Sequence, residues 1–170
     1  DGRRALVRLD AAWRQLERSM LLRVQTMRVL LWTVRARAMV AATQQDGDRT
    51  RLRAIAAIAR RLEREGVDYC TAEASTLRAA IAHASGDDAT AIARLARSEA
   101  IFTAQGLAPS AYAVQRARGV LLGGDEGARL VREADEFNAG QGVKRPDRVA
   151  AVFAPGFGPV PGTRALPPGR

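Results

Sequence analysis

Apolar residues recur along this chain at helical spacing, and the recurrence itself repeats. Three runs each carry two large apolar residues seven positions apart: Ile55 and Leu62, Leu95 and Phe102, Leu130 and Phe137. Seven residues are about two helical turns, so each pair points the same way and is expected in the core. Every run then meets a glycine, at Gly66, Gly106 and Gly142, followed by Val67, Leu107 and Val143. That order is the sequence form of a helix closed by a left-handed glycine with an apolar contact across it. Gly-Asp pairs precede the runs at Gly47-Asp48, Gly86-Asp87 and Gly124-Asp125, the aspartates lying 39 and then 38 residues apart. Aspartate is a favoured N-cap because its carboxylate accepts from free amides of the first turn. Leu9 and Leu16 form a degenerate earlier copy without the glycine.

A second helix fits between each closing glycine and the next Gly-Asp. The pattern predicts these helices over Val24 to Thr43, Asp68 to His83 and Pro109 to Leu122, with a short last one from Pro146 to Phe153. The unit is therefore helix, glycine turn, helix, Gly-Asp turn, with a period of 38–40 residues. Periods in this range mark helical solenoids of paired helices. The fold class expected is all-α, a tetratricopeptide-like right-handed array of about four antiparallel helix pairs over residues 1–153. From Ala154 the composition changes, residues 154–170 holding five of the seven prolines. Proline removes backbone donors and glycine adds chain entropy, so a tail without regular structure is expected there.

Composition supports the same class. Hydrophobic residues make up 47%, charged residues 26% and aromatics only 5%, a globular balance in which alanine is the favoured apolar residue. Alanine has the best helix propensity and lets helices approach closely, while β-branched residues are too scattered to build a sheet. The most apolar stretch, Val24 to Ala42, is interrupted by Arg28, Arg35 and Arg37. A bilayer span needs roughly 20 apolar residues with few charges, so this stretch reads as a helix buried on several sides. No targeting segment is visible, the expected compartment is the cytoplasm, and a start at Asp1 suggests a piece of a longer protein.

The net charge of +9 raises nucleic acid or an acidic surface as a partner. Lys144 is the only lysine, however, and the arginines are interleaved with acids, as in Arg61-Leu62-Glu63-Arg64-Glu65. This suits ordinary solvated faces better than a nucleic-acid stripe. In tetratricopeptide-like arrays the first helices of successive pairs line a concave face. Sites between the core positions of those helices include Arg53, Arg60 and Arg61, then Arg97, then Arg132. Arginine suits forked recognition of carboxylates or phosphates, so these five are the candidate partner-binding residues. The alternative is an arginine-rich helical array that binds nucleic acid.

Chemistry is sparse. Cys70 and His83 are each alone in the chain, which leaves no intrachain disulfide and no cysteine-based zinc site. His83, near the end of a predicted helix, reads as a packing or helix-end residue. The glycines of Gly119-Val120-Leu121-Leu122-Gly123-Gly124 lack the Gly-Lys-Ser/Thr that meets phosphates and read as a helix C-terminus. Asp87-Asp88 and Asp125-Glu126 fall at helix starts, where the dipole favours negative charge. No catalytic, cofactor or metal site is expected.

The stretch Ala100-Ile101-Phe102, Gly119 to Gly127, Glu133-Ala134-Asp135-Glu136-Phe137, Gln141-Gly142-Val143, Pro146 and Ala154-Pro155-Gly156-Phe157 resembles a particular kind of tail. It is similar to the helical-repeat C-terminal region of large multidomain bacterial serine/threonine protein kinases that carry an NTPase module, best known in myxobacteria. The resemblance covers roughly residues 87–157 and implies that kinase and ATPase activities belong to upstream domains. It also implies a non-catalytic interaction or regulatory role, with a protein partner or a neighbouring domain as ligand; no membrane is expected, since the most apolar stretch is interrupted by arginines. Calorimetric titration of the chain with Mg-ATP is expected to show no saturable binding. One-to-one binding that a point substitution within residues 1–153 abolishes would contradict this reading.

Overall fold

The computed structural model describes residues 1–158, and all the regular structure among them is helical. Eight α-helices follow one another: α1 (Gly2–Arg18), α2 (Gln25–Asp46), α3 (Leu52–Glu63), α4 (Asp68–Ala84), α5 (Asp88–Ala104), α6 (Ala108–Leu122), α7 (Gly124–Gly140) and α8 (Pro146–Phe153). Short 3-10 turns at Met20–Arg23 and Arg49–Arg51 lead into α2 and α3. Helices α1 to α7 pack chiefly on their neighbours in sequence, α2 also touches α4, and α8 packs more on α6 than on α7. No helix among the described residues is long and apolar enough to cross a membrane.

Local chemistry explains the boundaries. Gly66, Gly106 and Gly142 all have φ between +68° and +76°, the left-handed conformation expected of them. Beyond the last two, the Leu107 amide reaches the Phe102 carbonyl and the Val143 amide the Asn138 carbonyl, both at 2.9 Å, closing α5 and α7. Asp87 caps α5 through the Thr90 amide at 3.0 Å, and Asp48 holds the Thr50 amide at 3.0 Å in the turn before α3. Asp125 departs from the pattern. It lies in the first turn of α7, whose N-cap is Gly123, so its charge faces the helix dipole without capping it.

The seven-residue pairs define the core with one correction. Ile55, Leu62, Leu95, Phe102 and Leu130 are buried, but Phe137 is only half-buried. Its ring stacks on Tyr112 of α6 with centroids 4.1 Å apart, and the eight-residue α8 is too short to enclose the rest. Gly119 also differs from a simple helix end. It lies within α6, and a Cβ there would stand 2.7 Å from the Gly127 carbonyl oxygen of α7. A Cβ on Gly127 would stand 2.4 Å from the Gly119 oxygen, so the paired glycines set how closely α6 and α7 approach.

The segment after α8 has no regular structure over residues 154–158, as expected from Ala154 onward, but it is docked on the helices, with Ala154 3% and Phe157 4% exposed. The apolar side chains of Ala154 and Phe157 outweigh the proline and glycine around them, so the segment packs without forming regular structure. The rest of the proline-rich tail, 159–170, lies outside the described residues. Phe102→Ala is expected to lower stability by about 3–5 kcal/mol in urea unfolding. Phe137→Ala should lower it by less than about 2 kcal/mol, because part of that ring already faces water. Equal losses would show that the repeats bury their aromatic residues alike.

Candidate functional site

The five arginines singled out by the repeat all lie on first helices. Arg53, Arg60 and Arg61 are on α3, Arg97 on α5 and Arg132 on α7, and all five are exposed. None forms an ion pair among the described residues. Many other arginines do: Arg28 with Glu65, Arg78 with Glu63, Arg118 with Glu99 and Arg116 with Asp135, at 2.7–2.8 Å. These pairs tie one helix or turn to the next, whereas none of the five candidates has such a carboxylate partner among the described residues.

The five are not equivalent. Arg61 lies over the Trp32 ring of α2 at 5.5 Å, and Arg28 lies over the same ring at 5.6 Å. A cation on an aromatic face is held by the ring quadrupole, so Arg61 is partly engaged in packing α3 against α2. Arg97 stands within electrostatic reach of Glu63. That carboxyl is held below its ordinary range first by its hydrogen bonds from Arg78, then by the charges of Arg78, Arg94 and Arg97. One carboxylate among three guanidinium groups leaves positive charge in excess where α3, α4 and α5 meet. Arg132 shares α7 with Glu133, Asp135 and Glu136, so the excess does not extend there undiluted.

A second polar arrangement was not expected from the sequence. Arg37 of α2 donates to Glu73 of α4, whose side chain is 1% exposed. Burial pushes the Glu73 carboxyl up, opposed by the Arg37 charge and by hydrogen bonds from Tyr69 and Arg37. The Tyr69 hydroxyl is pushed up to about 12, first by burial and then by the neighbouring Glu73. The ring centroid of Phe153, at the end of α8, lies 5.3 Å from the Arg37 guanidinium. The Thr33 hydroxyl and the Arg37 Nε are buried without a partner nearby. Arg37 and Glu73 are 36 apart in sequence and share no motif, so no spacing rule connects them.

His83, in the last turn of α4, bonds through Nδ1 to Asp88 at 2.6 Å and stacks on Phe157 at 5.7 Å. It is a helix-end packing residue, as its sequence position suggests. Cys70 is buried, and desolvation pushes its thiol up. Among the described residues no group of three His, Cys, Asp or Glu side chains is arranged to hold a metal ion. Compared with protein-family models, curated proteins and solved structures, the chain finds no match. The functional reading therefore stands on its surfaces.

Arg37→Met tests the buried pair. The carboxylate of Glu73 would lose its counter-charge, and a loss of about 3–5 kcal/mol is expected at pH 7. A carboxyl whose folded pKa lies above the unfolded value of 4.5 binds more protons in the folded state, so its charged form opposes folding. The penalty is absent below the unfolded value, sets in as the pH rises through it and is fully developed above the folded value. The deficit relative to wild type should accordingly shrink as the pH falls from 7 toward 4.5 in urea unfolding. A deficit independent of pH would show that removing Arg37 leaves the protonation of Glu73 as it is in wild type.

Proposed function

We propose that this chain is a non-catalytic interaction domain of a larger signalling protein. In this reading the helices form a right-handed tetratricopeptide-like array of antiparallel pairs, and the outer sides of α3 and α5 receive an acidic segment. That segment belongs to a protein partner or to an upstream domain of the same polypeptide, a kinase or NTPase of the kind the resemblance implies. The observation that carries the proposal is the exposure of Arg53, Arg60 and Arg97 without ionic partners among the described residues, beside a Glu63 already saturated by Arg78. Guanidinium groups left free in a chain that pairs many of its other arginines offer forked donors to a carboxylate at little desolvation cost. The helices also pack as neighbours in sequence, with contacts between α2 and α4 and between α6 and α8, which suits an array of pairs.

The test is fluorescence anisotropy with a labelled peptide alternating Glu and Leu, against wild type and a variant carrying Arg53→Glu, Arg60→Glu and Arg97→Glu. Arg61 is left in place because of its contact with Trp32. Wild type should bind the peptide at low salt, and the variant, with helix content unchanged by circular dichroism, should bind at least about ten-fold more weakly. Equal binding by both proteins would remove this face from consideration. Tighter binding of a single-stranded oligonucleotide than of the peptide, with a steep salt dependence, would instead establish the nucleic-acid reading.

A further inference from the structure

The descent of the chain after α8 has a direction. Phe153 covers Arg37, Gly156 then lies on Val40 of α2 and Ala80 of α4, and Phe157 stacks on His83. Finally the Gln44 side-chain amide donates to the Gly158 carbonyl. Residues 154–158 thus run along the groove between α2 and α4, from the middle of both helices toward their C-terminal ends. This strap is anchored by one aromatic side chain and has no regular backbone pairing with either helix. It also leaves the groove underfilled. Beside Gly156, which has no side chain to offer, a cavity of about 270 Å³ remains, whose lining includes Val40, Leu52 and Ala80 with Gln44, Arg49 and His83.

An apolar groove with a few polar groups along its wall, occupied by an extended segment with an aromatic anchor, is a peptide site with its ligand in place. We propose that the α2–α4 groove is a docking site for an extended partner segment bearing a phenylalanine after small residues. The chain's own Ala154–Gly158 holds the groove at rest and must be displaced. The occupant is identified by the strap itself: an aromatic ring that reaches His83, a residue without bulk against Val40, and a backbone carbonyl for Gln44. A partner segment with a side chain directed into the remaining cavity would gain contacts the strap lacks. This surface is separate from the arginine face, and neither proposal rests on the other.

Competition by a tethered segment weakens apparent affinity by the fraction of molecules whose groove is free. The strap is released by Gly156→Val, because a Cβ there would lie 2.9 Å from Val40 Cγ1 on a backbone with φ +99°. Phe157→Ala releases it independently by removing the anchor. A labelled peptide with the sequence of residues 151–158 should bind both variants one-to-one and about 10- to 100-fold more tightly than wild type. The same peptide lacking its second phenylalanine should not bind them. Failure of either variant to bind, with helix content intact, would overturn the proposal, as would equal affinity for all three proteins. Loss of helix in both variants would show the strap to be part of the core and overturn it too. Dimerisation of the variants without peptide, seen by light scattering, would overturn it in favour of strap exchange between copies.

Discussion

Close packing of α4 among three other helices is the constraint on which the rest of the structure depends. Helix α4 contacts α2, α3 and α5, and only small side chains permit approach on so many sides. Its buried positions include Cys70, Ala72, Ala74, Ser75, Thr76, Ala79 and Ala80. The hydroxyls in that set are satisfied locally. Ser98 of α5 bonds the Ala72 carbonyl at 2.9 Å and Thr76 at 2.8 Å, while Ser75 bonds the Arg94 carbonyl at 2.9 Å. Such bonds let helices meet without leaving polar atoms stranded, which would offset the gain from close contact. Gly119 and Gly127 play the equivalent part between α6 and α7 through absence of bulk.

Charge follows from that geometry. Where backbones are drawn together, long arginine side chains from one helix reach acids on the next, and Arg78–Glu63, Arg118–Glu99 and Arg116–Asp135 tie neighbouring helices across their surfaces. Arg37–Glu73 is the inward member of the set, with the ring of Phe153 of α8 against the Arg37 guanidinium. Exposed pairs of this kind contribute little individually. One consequence is an exposed group of arginines, Arg53, Arg60 and Arg97 of α3 and α5, without ion pairs among the described residues. The two faces of the domain are therefore chemically distinct: a cationic side on α3 and α5, and an apolar groove between α2 and α4 that the chain itself covers.

The helices and their turns were legible in the sequence because both arise from contacts within about seven residues. The spacing of Ile55 and Leu62, the closing glycines and the capping of α5 by Asp87 all depend on local backbone geometry, which the sequence states directly. The exposure of the five arginines followed from the same periodicity, since sites between core positions face outward. Phe137 marks the limit of that reasoning. Its position in the repeat equals that of Phe102, yet its burial depends on how much of the next helix exists to cover it.

What the tertiary structure alone decided is which side chains from distant helices meet. The partnership of Arg37 with Glu73, the place of Arg61 on Trp32, and the seat of Phe157 on His83 join residues separated by 29 to 74 positions in the sequence. No periodicity encodes such contacts, because they depend on the relative placement of whole helices. The same reason governs Ala154 to Gly158. Their composition marks them as unable to form a helix, and only the groove between α2 and α4, assembled by the packed helices, gives their apolar side chains somewhere to be buried.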